Sequence, residues 1–525
     1  MNKLGFIDFK SVGIEKIILP VSISIYLILG LLLLHNYQYV INSDGISYMS
    51  IAQHYINGRF SYAINGYWSP LYSWLLIPFL LIWGGKTSAL FANKVLALIL
   101  GCFTMGGVYL LSSKLNFDIK LKAITLITLI PLTLYFAFDM TTPDLLVVLT
   151  LIFYLNFLFD HQYRYKLTNG LLTGFFGALA FLSKSYIFFF FLVHFGLSNV
   201  YYWIKFQSQR KIITKNFILG MIVFLVISGV WIFAISEKYD KFTLGTAGPY
   251  NYAVIGPESM GHPVYYEGLL QPPNEYAYSV WEDPSYLNVK SWSPFASASN
   301  FYYQLKIITN NLVSLLNIWE SFSILSLIII IMGLIAFKFS NDESKNKLTL
   351  LSLTIAIYSA GYCLILISTR YMWIINVLLL LLGIFCVKIL FEKFNFNEKF
   401  YMILIFILSL SFIISPVIEL YDLSGNGKDY YLISENLKTH GVSSSNIAAN
   451  FSDWRDTVYL AYYLDAKYYG LTKSSSGKDL EEELRKNNIQ YYFIWQNSSI
   501  NIPGYVEMKN LDFNYPKVYY RTNNF

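Results

Sequence analysis

Long apolar runs, each closed by a polar break, recur along the first four-fifths of the chain. Wound as helices, runs of this length match the roughly 30 Å hydrocarbon core of a bilayer. About eleven spans are predicted, near residues 17–39, 88–112, 121–138, 144–160, 168–183, 186–204, 217–236, 321–338, 348–368, 372–391 and 400–418. The breaks alternate in charge. One set holds Lys114, Lys120 and Lys122; Arg164 and Lys166; Lys205, Arg210, Lys211 and Lys215; Lys338, Lys345 and Lys347; and Lys388, Lys393 and Lys399. The short connections of the other set hold few cations: Arg59, Lys86, Lys184 and Arg370. Cations concentrate on the cytoplasmic side of membrane proteins. The phase therefore predicts a cytoplasmic N-terminus and, with an odd number of spans, a C-terminus outside. Lys3, Lys10 and Lys16 ahead of the first run imitate a signal peptide. No small-residue cleavage site follows and the run is long, so an uncleaved first span is expected.

Two outer segments are large. The first, 41–87, carries an amphipathic helix from Ile46 to Ile56, a Gly/Asn-rich turn region, and Trp68-Ser69-Pro70-Leu71-Tyr72. The apolar run after Pro70 is short and contains Pro78; it reads as interfacial or re-entrant, because a span there would invert the cation phase downstream. The second, 237–320, is rich in Gly, Pro, Tyr and Trp, including Trp281-Glu282-Asp283-Pro284-Ser285, and reads as ordered turns rather than a long helix. From about residue 421 the chain turns polar. Helical patterns near 429–439, 453–464 and 477–487 alternate with strand-like 447–449, 468–471 and 489–494. The expected fold class is thus a polytopic α-helical membrane protein, with a transmembrane domain over 1–420 and a small extracytoplasmic α/β domain over 421–525. Asn450-Phe451-Ser452 and Asn497-Ser498-Ser499 match the N-glycosylation acceptor pattern, a short pattern that recurs by chance.

Composition agrees. The chain is 55% hydrophobic and 13% charged, with mean hydropathy +0.46, against roughly 25% charge in soluble domains. The net charge of +6 resides in short loops between apolar runs, so no nucleic-acid partner is expected. Cys102, Cys363 and Cys386 fall inside apolar runs and form no disulfide framework; the six histidines lack ligand spacing. No cofactor is expected, and the sequence neither requires nor rules out a divalent metal.

The chemistry lies where charge meets membrane. Asp44, Asp139, Asp144, Lys184 and Arg370 all fall at outer ends of spans in this topology. Each has an ordinary explanation. Asp144 follows Pro143 and suits a helix N-terminus; Lys184 could snorkel to the interface; Arg370 could pair with Asp139 or Asp144. Together they fit sugar transfer from a lipid-linked phosphosugar. Asp44 would take the proton of an attacking acceptor hydroxyl. Lys184 and Arg370, with the Tyr371 hydroxyl beside them, would stabilise charge on a departing polyprenyl phosphate. One carboxylate without a partner acid implies single displacement with inversion; the nearest acids in sequence, Asp8, Glu15 and Asp118, are all on the cytoplasmic side.

Asp44-Gly45 with Tyr48, followed by Trp68-Ser69-Pro70-Leu71-Tyr72, resembles the first outer loop of GT-C fold glycosyltransferases, nearest to the protein O-mannosyltransferase and lipid A aminoarabinose transferase group. Gly177-Ala178-Leu179-Ala180-Phe181-Leu182-Ser183-Lys184 is similar to that group's Gly-x-x-x-Leu-x-Lys segment, and Arg370-Tyr371 to its late Arg-Tyr pair. The resemblance implies a GT-C fold, a catalytic Asp44, a donor phosphate held by Lys184, Arg370 and Tyr371, and an Asp144 in the place of a family aspartate. Asp139, Tyr48, Arg59 and Trp68 are further residues of the site or its frame. The implied partners are a polyprenyl-phosphate sugar donor, a glycolipid, glycan or protein acceptor, and the bilayer; the implied location is a bacterial inner membrane. The chain departs from the group at Gly45, where an acidic pair, Asp-Glu, is usual. Rival readings are a lipid-linked glycan flippase, which predicts inverted repeats and mid-membrane charges, an O-antigen polymerase or ligase, which would use outer-loop arginines that 237–320 lacks, and a non-catalytic scaffold.

Overall fold

A computed structural model describes residues 9–394, 397–450, 453–496 and 500–522. Lys3, Asp8, Phe451, Ser452 and 497–499, which carry some of the expectations above, lie outside the described residues.

The eleven apolar runs are largely helical, from Phe9–Tyr37 and Lys86–Lys114 through to Trp373–Phe394 and Glu398–Leu423; 321–338 straddles a break between two helices, and the helix in 348–368 ends at Cys363. The chain is a multi-pass membrane protein. Seven described helices are long and apolar enough to cross a bilayer, or eight if a bent pair is one span. The count of about eleven is therefore not reached by length and composition alone. Asp144–Leu158 and Leu167–Ser183 have only 15 and 17 residues, about 22–26 Å at 1.5 Å per residue. Leu71–Ile82, with 12 residues, is too short to span, in keeping with the interfacial or re-entrant reading.

The helix at the centre is Trp373–Phe394. Its apolar stretch is 83% buried, against 22% for the first span, which explains a sequence that is apolar on every side. Arg370 and Tyr371 stand at its start. Elsewhere in the bundle, Leu167–Ser183 and Arg210–Lys238 approach backbone to backbone, so closely that a Cβ on Gly174 would run into the Gly220 carbonyl oxygen. The loops predicted on the cytoplasmic side gather at one end of the bundle through Lys120–Glu398 (2.8 Å), Lys122–Glu15 (2.7 Å) and the Lys114–Asp160 pair.

The 237–320 segment differs from expectation. Turns occupy its first part, but Ala298–Phe322 is a 25-residue helix that meets Ser326–Phe339 at 96°. Its polar positions (Asn300, Gln304, Asn310, Asn311) interleave with exposed Phe301, Leu305, Leu312 and Leu316. Averaged along the chain, that mixture resembles a loop; resolved around a helix, it is an amphipathic face.

The C-terminal unit is a five-stranded sheet of order β2-β1-β3-β5-β4, with β1 Asn446–Ala449, β2 Lys467–Leu471, β3 Tyr491–Ile494, β4 Tyr505–Glu507 and β5 Lys517–Arg521. β1 runs parallel to β2 and β3, connected through Trp454–Leu464 and Gly477–Lys486; β5 is antiparallel to β3 and β4. The outer edge of β2 is covered by the 268–279 stretch of the second outer loop: Leu270 N–H donates to the Tyr469 carbonyl (2.6 Å) and Tyr468 N–H to the Tyr278 carbonyl (2.7 Å).

A charged contact ties this unit to the membrane body. Lys86, opening the Lys86–Lys114 helix, reaches Asp465 at 2.7 Å and the Tyr278 hydroxyl. Burial pushes the Asp465 carboxyl up, but the Lys86 hydrogen bond and charge pull it further down, to a net position below its ordinary value. A carboxyl lowered by folding stabilises the contact fully above the ordinary carboxylate range and loses that stabilisation as pH falls through and below it. Limited proteolysis of the C-terminal unit across a pH series should therefore show faster cleavage below about pH 4. The Asp465→Asn protein should lack this step; an identical pH profile for the two would show that the contact does not hold the units together.

Candidate active site

The site forms where helix ends converge. Asn42 caps the Ser43–Ile56 helix, its Oδ1 accepting the Gly45 N–H at 2.7 Å. That cap sets Asp44 in the first turn, where the positive end of the helix dipole favours a carboxylate. Asp144 opens the next such helix, Asp144–Leu158. Lys184 ends Leu167–Ser183, and Arg370 precedes the central helix. Four elements far apart in sequence thus deliver two acids and two cations to one place.

They form an alternating chain. Arg370 Nη2 donates to Asp44 Oδ2 at 2.5 Å, Arg370 Nη1 lies 3.9 Å from Asp144 Oδ2, and Lys184 Nζ donates to Asp144 Oδ1 at 2.6 Å. Thr142 Oγ1 donates to Asp144 Oδ2 at 2.6 Å. Asp144 therefore does not cap its helix, because both oxygens are engaged by side chains. Its side chain is 4% exposed and that of Asp44 15%, which makes Asp44 the accessible acid of the two. Lys184 also sits 3.5 Å over the Tyr371 ring, and the Tyr371 hydroxyl is 3.5 Å from Arg370 Nη2. The ion-pair reading of the cations is realised within the same cluster: Lys184 does not snorkel, and Arg370 binds Asp44 more closely than Asp144.

Other expected residues divide. Tyr48, 4% exposed, stands beside Asp44 and Asp144, edge-on to Trp68 and Tyr72, and burial raises its hydroxyl well above the ordinary value, so it stays protonated. Trp68 Nε1 donates to the Trp281 carbonyl at 3.2 Å. Asp139 stands apart from the chain, at the end of its helix next to Lys94, whose Nζ donates to the Phe138 carbonyl at 2.6 Å. Arg59 does not belong to the cluster. It lies past the far end of the Ser43–Ile56 helix with its guanidinium 3.4 Å over the Tyr276 ring; its sequence proximity to Asp44 is spent on the helix length between them.

Several residues at the site were not among those expected there. Trp281 Nε1 donates to Asp44 Oδ1 at 2.9 Å. Glu282, 3% exposed, accepts from Ser50 and Asn274 (2.8 Å) and faces His54 Nε2 at 3.0 Å. His262 meets the Trp281 edge at 5.3 Å; burial holds its imidazole below the ordinary value while Asp44 acts the other way. Trp454 of the C-terminal unit lies 6.0 Å from Trp281, so that unit roofs the site. The signal available for Lys94 was an ionisable residue inside an apolar run. For Glu282 it was an acid within an aromatic turn, which sequence alone assigns no partner. Among the described residues no group of three or more His, Cys, Asp or Glu side chains is placed to hold a metal ion.

No family model and no curated protein matches the chain. Solved structures do. ArnT from Cupriavidus metallidurans bound to undecaprenyl phosphate aligns over 96% of this chain and 98% of that one, with TM-score 0.59 and 10% identity. The Archaeoglobus fulgidus oligosaccharyltransferase in its apo form aligns over 91% of this chain and 69% of that one, with TM-score 0.52 and 11% identity. The chain has the GT-C fold. At such identities the likeness is one of fold.

Within that fold the Gly45 departure has a steric cause. A Cβ built on Gly45 would lie 1.7 Å from Thr141 Oγ1 and 2.9 Å from the Thr141 carbonyl oxygen. The helix carrying Asp44 is pressed against the turn leading into Asp144, and no side chain fits between them. Gly45→Ala should force these segments apart, at about 1–3 kcal/mol for overpacking. The measurement is the melting temperature of the purified protein, with Gly58→Ala, where a Cβ meets open space, set beside it as a strained-backbone comparison. Equal melting temperatures for Gly45→Ala and wild type would mean that the two segments do not touch.

Proposed function

We propose that this protein transfers a glycosyl group, with inversion, from a polyprenyl-phosphate-linked sugar to an acceptor hydroxyl on the extracytoplasmic face of a bacterial inner membrane, with its N-terminus cytoplasmic and its C-terminal unit outside. The observation that carries the reading is the accessible Asp44 carboxylate beside Arg370 and Lys184 at one end of an apolar bundle. Asp44 accepts the proton of the acceptor hydroxyl as its oxygen attacks the anomeric carbon and the bond from that carbon to the phosphate oxygen breaks. Arg370 and Lys184, with Tyr371 between them, meet the negative charge that grows on the departing phosphate. The second nearby acid, Asp144, is the more buried of the two and is bound by Lys184 and Thr142, which leaves Asp44 as the more accessible carboxylate and supports single displacement. The cation pair supplies the charge that a metal would otherwise supply, and the reading calls on no cofactor. The acceptor is a glycolipid, a glycan or a protein.

Mass spectrometry of cell-envelope glycans, with and without the protein, tests the reaction class. Asp44→Asn should abolish the glycan difference at unchanged membrane abundance; an active D44N protein removes Asp44 as the base. Arg370→Ala and Lys184→Ala should raise the donor concentration needed for half-maximal transfer by tenfold or more, since each removes a charged partner of the phosphate. Lys184→Ala also strands the buried Asp144 carboxylate, so K184A/D144N is the matched comparison. Unchanged donor dependence would return both cations to a purely structural role.

A further inference from the structure

We propose that Trp281 is a positioning residue for this reaction: its indole N–H fixes the Asp44 carboxylate so that Oδ1 is the oxygen that receives the acceptor proton. The inference rests on Asp44 being the base. A carboxylate offers about four lone-pair directions. Arg370 takes one on Oδ2 with a charged donor at 2.5 Å, and Trp281 Nε1 takes one on Oδ1 with a neutral donor at 2.9 Å. Held at both oxygens, the group cannot rotate without breaking a bond. Oδ2 faces a guanidinium, which draws on its electron density; Oδ1 faces only the neutral indole and keeps a lone pair for an incoming hydroxyl.

Trp281 is itself held rigidly by contacts that do not involve its indole N–H. Its carbonyl accepts from Ser47 Oγ (3.1 Å) and Trp68 Nε1 (3.2 Å), and its N–H donates to Ser279 Oγ (3.2 Å). The next residue, Glu282, is tied to Ser50, His54 and Asn274, and its carbonyl accepts from Asn65 Nδ2 at 2.8 Å. Asp44, Ser47, Ser50 and His54 recur at intervals of three and four, so one stripe of the Ser43–Ile56 helix receives the whole Val280–Glu282 turn. The turn would stay docked without the indole hydrogen bond. Among these contacts the indole N–H is spent on the base alone, which separates a role in the reaction from a role in folding.

The test uses the full-length protein in phosphatidylethanolamine/phosphatidylglycerol vesicles. The donors are a panel of radiolabelled undecaprenyl-phosphate hexoses and pentoses, and the acceptor is an envelope extract from cells lacking the protein. W281F keeps the ring and loses the donor. Its kcat should fall about tenfold to a hundredfold, the range for a hydrogen bond to a charged group, with donor KM within twofold and an unchanged melting temperature. W281H, which restores a ring N–H, should recover part of the rate. Wild-type kcat in W281F, or a loss in W281F that appears in donor KM, overturns the proposal. If W281F fails to fold, W281H decides: a rate between wild type and D44N supports the proposal, and a rate as low as D44N overturns it. A wild-type protein that transfers no sugar from any donor in the panel would overturn the reading of Asp44 as base, and this inference with it.

Discussion

Charge at the end of an apolar bundle must be neutralised locally, and the rest of this structure is arranged around that constraint. Two carboxylates and two cations alternate as Asp44, Arg370, Asp144 and Lys184, so each acid lies against a cation and each cation against an acid. Isolated, any of them would carry a desolvation penalty of several kcal/mol. As a chain they cancel. Their placement on separate elements, two at helix N-termini and one at a helix C-terminus, lets the helix dipoles favour the same arrangement. The convergence also fixes the bundle, because the four elements cannot separate without stranding a charge.

The outer parts are built over this cluster rather than beside it. The Ser43–Ile56 helix lies with Asp44 at the bundle and its Ser47, Ser50 and His54 stripe turned to the second outer loop. That loop continues through Tyr278 into an edge contact with β2, and the C-terminal unit returns Trp454 to the Trp281 ring. A path of hydrogen bonds and packed rings therefore runs from the C-terminal sheet to the Asp44 carboxylate. Trp281 is one route by which movement of the C-terminal unit against the bundle would reach Asp44.

How much of this was legible in the sequence follows from which signals are local. A buried or lipid-facing helix writes its length directly as an apolar run, and the runs are largely helical. The amphipathic Ala298–Phe322 helix writes only a period, which its polar and aromatic residues hide when averaged. β4 and β5 are three and five residues long and pair with each other or with β3, so neither carries a pattern of its own. At the site, Asp44, Asp144, Lys184 and Arg370 were visible because a charge at a span end needs a reason. Trp281 and Glu282 were not, because an aromatic residue and an acid in a Pro-rich loop need none. Their contacts with the Asp44 helix reach partners more than 200 positions away. Arg59 shows the converse: nearness in sequence to Asp44 did not survive the helix that separates them.

The resting pairing of Asp44 with Arg370 bears on the proposed reaction through charge accounting. A polyprenyl phosphosugar is a phosphodiester with one negative charge; the released polyprenyl phosphate is a monoester that gains a second near neutral pH. Over the same step Asp44 takes up a proton and loses its charge. Transfer therefore moves one unit of negative charge from the carboxylate to the phosphate and leaves the site's total unchanged. Arg370, held at 2.5 Å by Asp44 before the step, is released by Asp44's neutralisation as the phosphate becomes the stronger partner. Lys184, paired with Asp144 in the same cluster, adds its charge beside the departing phosphate. On this account the Asp44–Arg370 pair does not compete with catalysis. It stores the cation next to the place where charge will appear, and the proton transfer itself is what frees it.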